Sequence, residues 1–193
     1  MFIHEMFQQK PCVFSVEVFP PKKAGAAEET LYPVLRELCT LGPDYISVTY
    51  GAGGGTAGQS TAKIASYIKN GLHVEALAHL TCVNSTRVQV EETLTRLRED
   101  NVENVLALRG DINPDLPRRM DFLHASDLAK AIAQTGGFGV AGACYPEGHV
   151  ESPSLKADVE SLRYKAEAGV SHLITQLFFD NVSYYRFLNM ARK

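Results

Sequence analysis

Hydrophobic positions along the chain switch repeatedly between two periods. In Cys12–Phe19 (CVFSVEVF), Phe14, Val16 and Val18 share one face, while Ser15, Glu17 and Phe19 share the other. That period of two predicts a strand. Over 26–41, Leu31, Val34, Leu35 and Leu38 fall at i, i+3, i+4 and i+7, which predicts a helix. The alternation continues. Further strands are predicted over 45–50, 73–82, 104–108, 138–144 and 172–178. Helices are predicted over 56–70, with Ile64 and Ile68 on one face, over 126–134 and over 182–191. Thr86 and Gln89 read as a capping box ahead of Val90, Leu94 and Leu97. Ser152 reads as an N-cap before Pro153 at a first helical position, with Leu155, Val159 and Leu162 following.

Six β/α units of about 30 residues imply a parallel sheet. Two architectures compete, an open doubly wound sheet and a (β/α)8 barrel. A doubly wound nucleotide fold carries a glycine fingerprint after its first strand. Here that strand runs into Phe19-Pro20-Pro21-Lys22. The glycine-rich stretch at 51–55 follows the second strand and fits neither GxGxxG nor a P-loop. It reads as a flexible loop before it reads as a phosphate cradle. A whole barrel takes about 250 residues, and the chain has 193. The expected fold class is therefore α/β, a TIM barrel incomplete here, with about six of eight units. No repeat or linker divides it, so residues 1–193 are expected to form one domain.

Composition narrows the partners. The chain is 45% hydrophobic and 21% charged, as in globular proteins. Nineteen basic against 22 acidic residues argue against nucleic acid as the main partner. No apolar run suits a membrane helix, and the start lacks a signal-peptide pattern, so a cytoplasmic location is expected. Cys12, Cys39, Cys82 and Cys144 are widely spaced. That spacing suits neither zinc nor a disulfide framework; reduced, mostly buried thiols are expected, and no metal.

In either architecture ligands bind at the C-terminal ends of the strands, and several polar residues fall there. Glu17 near the end of an apolar strand is costly unless paired or solvated. It is either a general acid with a raised pKa or half of a structural ion pair. Thr49 and Tyr50 end the second strand, and His79 lies within the third as a hydrogen-bonded core residue or a ligand contact. Arg109-Gly110-Asp111 follows the fourth strand; Gly110 would let the backbone approach a ligand. Tyr145 to His149 follows the fifth. Asp158 and Lys165 lie two turns apart on one helix face. Gln176 is expected inside the sixth strand, where a buried amide needs partners.

Six motifs, in order, resemble the methylenetetrahydrofolate reductase family across nearly the whole chain. They are Phe14–Lys22 (FSVEVFPPK), Ser47–Ala52 (SVTYGA), His79–Cys82 (HLTC), Leu106–Asp111 (LALRGD), Ala143–His149 (ACYPEGH) and Ile174–Asp180 (ITQLFFD). The resemblance implies a barrel with FAD at its C-terminal mouth. NADH or NADPH would supply hydride through the flavin, and 5,10-methylenetetrahydrofolate would become 5-methyltetrahydrofolate. Glu17 would be the general acid. Asp111 would sit near flavin and pterin, disfavouring anionic reduced flavin and favouring a cationic iminium. Tyr50, Ala52, His79, Arg109, Gly110, Ala125, Tyr145, His149, Asp158 and Lys165 match FAD-contacting positions. Thr49 and Gln176 match positions near nicotinamide, and Gln176 would also meet folate. Ser161 and Tyr164 stand where the family often has Asn and Arg, which removes an expected phosphate contact. His124 stands where a tyrosine often flanks the adenosine. The resemblance implies a homo-oligomer for full-length members. Two other readings stay open: a non-catalytic remnant or FAD- or partner-binding subunit, and a different barrel enzyme using Glu17 without flavin.

Overall fold

A computed structural model describes residues 1–23, 25–50, 57–112 and 119–192. Six strands form one parallel sheet: β1 (Ser15–Val18), β2 (Tyr45–Val48), β3 (Glu75–Thr81), β4 (Asn104–Leu108), β5 (Gly139–Cys144) and β6 (His172–Thr175). The helices are α1 (Ile3–Gln9), α2 (Ala27–Cys39), α3 (Ala57–Ser66), α4 (Arg87–Glu99), α5 (Ala125–Thr135), α6 (Leu155–Glu167) and α7 (Asn181–Ala191). The spatial order of the strands is their order along the chain. A doubly wound sheet reverses that order at a switch point. This sheet has no reversal, so its winding is that of a barrel, and the described residues supply six β/α units of it.

Alternation along the strands sorts side chains to two faces. Val18, Ile46, Val48, Ala78, Val105 and Val140 pack outward with Leu35, Ile64, Ile68, Leu94, Leu97 and Leu128 of the helices. On the inner face, Tyr45, Leu77, Leu106 and Ala141 pack with Ile3 and Met6 of α1. Strands buried on both faces read as near-continuous apolar runs, and all four residues of β2 are buried. In α4 the capping box forms as expected: Gln89 N donates to Thr86 Oγ1 at 3.2 Å, and Thr86 N donates to Gln89 Oε1 at 2.9 Å.

The structure corrects several sequence expectations. Nothing in the hydrophobic pattern predicts α1, because seven residues with no side-chain N-cap do not hold a helix alone. Tertiary contacts hold it. Ile3 N donates to Asn104 Oδ1 at 2.9 Å, and Asn104 Nδ2 donates to Met1 O at 3.1 Å. Asn104 is fully buried and pairs in register with Gly139 of β5. A Cβ on Gly139 would sit 2.8 Å from Asn104 Oδ1, so the missing side chain makes the room the amide occupies. The sixth strand ends at Thr175 rather than at 178. Its partner β5 ends at Cys144, whose carbonyl accepts from Gln176 N at 2.8 Å. The cap of α6 is Ser154, not Ser152: Ser154 Oγ accepts from Ala157 N at 3.1 Å, and Pro153 lies outside the helix. The helix expected over 56–70 ends in a π-helical turn, Tyr67–Gly71. Tyr67 there stacks on Tyr32 with ring centroids 3.7 Å apart.

Cys82 and Cys144 are buried free thiols, Cys39 is partly buried and Cys12 is exposed. The expectation of mostly buried thiols therefore fails at Cys12. Among the described residues, no helix is long and apolar enough to cross a membrane.

Replacing Asn104 by Ala leaves the buried Ile3 N–H without its acceptor. The expected loss is about 1–3 kcal/mol of unfolding free energy. Urea denaturation measures it, with α1 exchanging its amide protons faster in the variant.

Candidate functional site

Parallel strands bring all six C-terminal ends to one end of the sheet, where an open cleft of about 2290 Å³ lies. Every site residue nominated from the sequence lines this cleft, except Ala52. Ala52 and the glycine-rich stretch lie outside the described residues. The strand register and the βα loops bring together side chains spaced by more than 150 positions in the chain.

Glu17 sits on the inner face of β1, in register with Ser47 of β2. Burial raises its carboxyl pKa, and a hydrogen bond with Ser47 pulls in the opposite direction. His79 of β3 is buried and points its Nε2 at both groups, 2.7 Å from Ser47 Oγ and 3.5 Å from Glu17 Oε2. Desolvation brings the imidazole pKa down to about 4, so the ring is neutral at pH 7. Glu17 thus combines a burial-raised pKa with a 3.5 Å approach to a neutral imidazole. His79 is a hydrogen-bonded core residue whose ring also lines the cleft.

Arg109 follows β4. Its Nη1 and Nη2 donate to the two carboxylate oxygens of Glu151, each at 2.7 Å, and its Nε donates to Gly110 O at 3.2 Å. Three of the five N–H groups of the guanidinium are thereby engaged, leaving two for a ligand. Gly110 adopts φ +85°, and a Cβ there would lie 3.1 Å from Thr81 Cβ and 3.2 Å from Val83 Cγ1. The absent side chain therefore lets the Arg109–Asp111 turn close on the end of β3. The backbone of Gly110 itself lines the cleft. Asp111 is exposed at the cleft rim.

The β5–α6 loop supplies the opposite wall. Tyr145 and His149 meet edge to face, with ring centroids 4.7 Å apart. His149 N donates to Asp158 Oδ2 at 3.0 Å, and Glu151 N donates to His149 Nδ1 at 3.1 Å. Lys165 donates to the carbonyl of Ala143 on β5. Burial lowers its ammonium pKa, against which Asp158 acts to raise it. Asp158 and Lys165 are thus turned to the cleft rather than to bulk water. Ser161 Oγ donates to Asp158 O at 2.6 Å, while Tyr164 is exposed.

The remaining candidates complete the rim. Tyr50 is pushed up in pKa by burial, and hydrogen bonds involving Ser85, Gly58 and Thr81 oppose the shift. Thr49 N donates to Val18 O at 3.0 Å, tying the end of β2 to β1. His124 caps α5, its N–H donating to Asp127 Oδ2 at 2.9 Å, and Ala125 opens that helix. Gln176 is exposed beyond the end of β6, so the expectation of a buried strand amide is corrected. The thiols beneath the cleft are poor nucleophiles: burial pushes Cys82 up to about 12 and Cys144 up to about 11.

Sequence reasoning did not single out Ser47 or Glu151. Ser47 could have been found, because a parallel pairing of Glu17 with the middle of YISVTY places a polar side chain beside it. Glu151 carries no such signal, since only the loop geometry brings it to Arg109.

Acid should weaken the fold through His79. Its folded pKa lies below its ordinary 6.5, so the unfolded chain takes up the proton first as pH falls. The stability is complete above pH 6.5 and is lost between there and about 4. That gap corresponds to an effect of the order of 3 kcal/mol. His172, also brought down to about 4 by burial and by His4, acts with the same sign. The urea midpoint should fall from pH 7 to pH 4.5, and less steeply in His79→Gln.

Comparisons with known proteins identify the family and the fold. The sequence model of the methylenetetrahydrofolate reductase family matches residues 2–193. The 5,10-methylenetetrahydrofolate reductase of Pectobacterium carotovorum is 39% identical over 173 residues, covering 90% of this chain and 57% of that protein. The enzyme of Escherichia coli K12 is 36% identical with the same coverage. The Arabidopsis thaliana protein named methylenetetrahydrofolate reductase (NADH) 1 is 34% identical, covering 99% of this chain and 34% of that one. The chain thus spans a little over half the length of its bacterial relatives. Among solved structures, oxaloacetate acetylhydrolase superposes with TM-score 0.65 at 11% identity, covering 97% of this chain and 66% of that one. A Clostridium thermocellum protein described as binding two copies of 5-methyl-5,6,7,8-tetrahydrofolic acid gives 0.61 at 16% identity, covering 97% and 61%. At those identities the likeness is one of fold. On its sequence, the chain belongs to the methylenetetrahydrofolate reductase family.

Proposed function

We propose that this chain carries the flavin and folate site of a reductase that converts 5,10-methylenetetrahydrofolate to 5-methyltetrahydrofolate, with NADH or NADPH as reductant. The observation that carries the reading is Glu17, a strand-end carboxyl with a burial-raised pKa. It shares one cleft with two cations and an aromatic pair.

The residues present fit FAD. Ligand pockets commonly measure about 300–1,000 Å³; this cleft of about 2290 Å³ is larger and has room for an extended dinucleotide with a second ligand beside it. Arg109 and Lys165 suit a diphosphate. Tyr145, His149, His124 and Ala125 offer ring faces and small surfaces to flat groups. Bound there, FAD supplies hydride transfer between nicotinamide and folate.

The chain's own groups do the rest. Glu17, whose protonated form burial favours, gives a proton to the departing ring nitrogen of the folate imidazolidine and assists ring opening. Asp111 places negative charge where the resulting cationic iminium is stabilised. Gln176 and Thr49 stand at the rim where nicotinamide and folate alternate. Tyr50, Gly110, Asp158, Ser161 and Tyr164 complete the cofactor walls, with Lys165 taking the phosphate role that Tyr164 cannot fill. The barrel's further two units, assembly as a homo-oligomer and a cytoplasmic location belong to the same reading.

The purified chain should retain flavin bands after addition of FAD and gel filtration, and these should bleach anaerobically with NADH. Loss of all flavin on filtration would overturn the cofactor reading for this chain. Glu17→Gln should keep both properties while folate reduction falls by about 10²-fold or more. Methyltetrahydrofolate formed at the parent rate would exclude Glu17 as the acid.

A further inference from the structure

Glu17, Ser47 and His79 meet around a single hydroxyl proton. Ser47 Oγ lies 2.7 Å from His79 Nε2, and Glu17 Oε2 lies 3.5 Å from the same nitrogen. A Ser47 hydrogen bond also reaches Glu17. His79 is only 8% exposed, yet its ring lines the cleft. A neutral imidazole carries its proton on one nitrogen and a lone pair on the other, and the partner of one nitrogen fixes the role of its opposite.

With Glu17 ionised, the carboxylate only accepts. The Ser47 proton turns toward it, and the Ser47 oxygen is left to accept from Nε2. The proton of His79 then sits on Nε2, and Nδ1 holds a lone pair. With Glu17 protonated, the carboxyl donates and the Ser47 proton turns to Nε2, which now must accept. The proton of His79 then sits on Nδ1.

We propose that Ser47 is a positioning residue that couples the protonation of Glu17 to the tautomer of His79. The state of the acid thereby sets whether His79 offers a lone pair or an N–H to a ligand in the cleft. The proton count balances. Glu17 takes one proton from solvent, and the Ser47 O–H rotates. The imidazole gives its Nε2 proton to water and takes one at Nδ1, staying neutral throughout. The groups facing Glu17 are Ser47 from β2 and His79 from β3. Arg109 and Asp111 after β4, and Asp158 and Lys165 of α6, line the same cleft. Burial and Ser47 set the Glu17 equilibrium. Use of the coupling in turnover rests on the reading of Glu17 as the acid; the coupling itself needs neither cofactor nor turnover.

A window for observation exists, because burial raises the Glu17 carboxyl pKa and brings that of His79 down to about 4. The experiment is a pH titration of the ligand-free chain, with 15N-labelled histidine and 13C-labelled glutamate side chains. His79→Gln and Glu17→Gln assign the signals. The protonated position of His79 should exchange from Nε2 to Nδ1 with the midpoint of the Glu17 carboxyl, before the imidazolium forms. Glu17→Gln should hold one pH-independent tautomer down to that point. Ser47→Ala should lose the shared midpoint, and Ser47→Thr, which keeps the hydroxyl, should restore it. The proposal is overturned if wild-type His79 keeps one tautomer through the Glu17 titration, or if Ser47→Ala leaves the exchange unchanged. The wild-type and Glu17→Gln titrations decide the matter even if Ser47→Ala does not fold. Failure of the chain to hold flavin would count against the proposed function and would leave these spectra as they are.

Discussion

Burial of a parallel sheet on both faces is the constraint on which this structure depends. The outer face is satisfied by helices, and β1 to β5 contribute small or β-branched side chains to it. Among the described residues, no helix layer like the outer one covers the inner face. At the N-terminal ends of the strands it is closed by Ile3 and Met6 over Tyr45, Leu77 and Leu106. At the C-terminal ends it is left to solvent, and polar side chains on the inner face collect there. Glu17, Ser47 and His79 are the boundary between the two regimes. Glu17 and His79 lie deep enough for burial to move their pKa values, and both line the cleft.

Much of this was legible in the sequence. Period two and period 3.6 located six strands and six helices, because each element is long enough to repeat its pattern and is bounded by polar or glycine-rich turns. The boundary at 104–108 was read to the residue. Other boundaries were set by partners that the pattern does not show. The end of β6 follows the end of β5, and the start of α6 follows a serine that outcompetes the Ser-Pro pair two residues earlier. Strand order lies beyond periodicity, since either winding produces the same alternation. Helix α1 was invisible because its stability comes from Asn104, about a hundred residues away.

The site shows the same division. Strand-end placement follows from the elements alone, so the described candidates share one cleft. What each does there depends on loops. The Arg109–Glu151 fork needs the turn after β4 and the loop after β5 to face one another. Lys165 and Asp158 share a helix face by their spacing, but it is the packing of α6 beside β5 that turns that face inward. The motif resemblance nominated these positions as a group but carried no information about their mutual contacts.

The unreversed strand order has a consequence for how the chain is made. Each β/α unit adds beside the one just before it, so most of the sheet can assemble in the order in which a ribosome delivers it. Helix α1 is the exception. It emerges ahead of all six strands, yet its hydrogen-bond partner at the start of β4 is synthesised about a hundred residues later. Helix α1 therefore waits for half of the wall to rise before the floor beneath it can close.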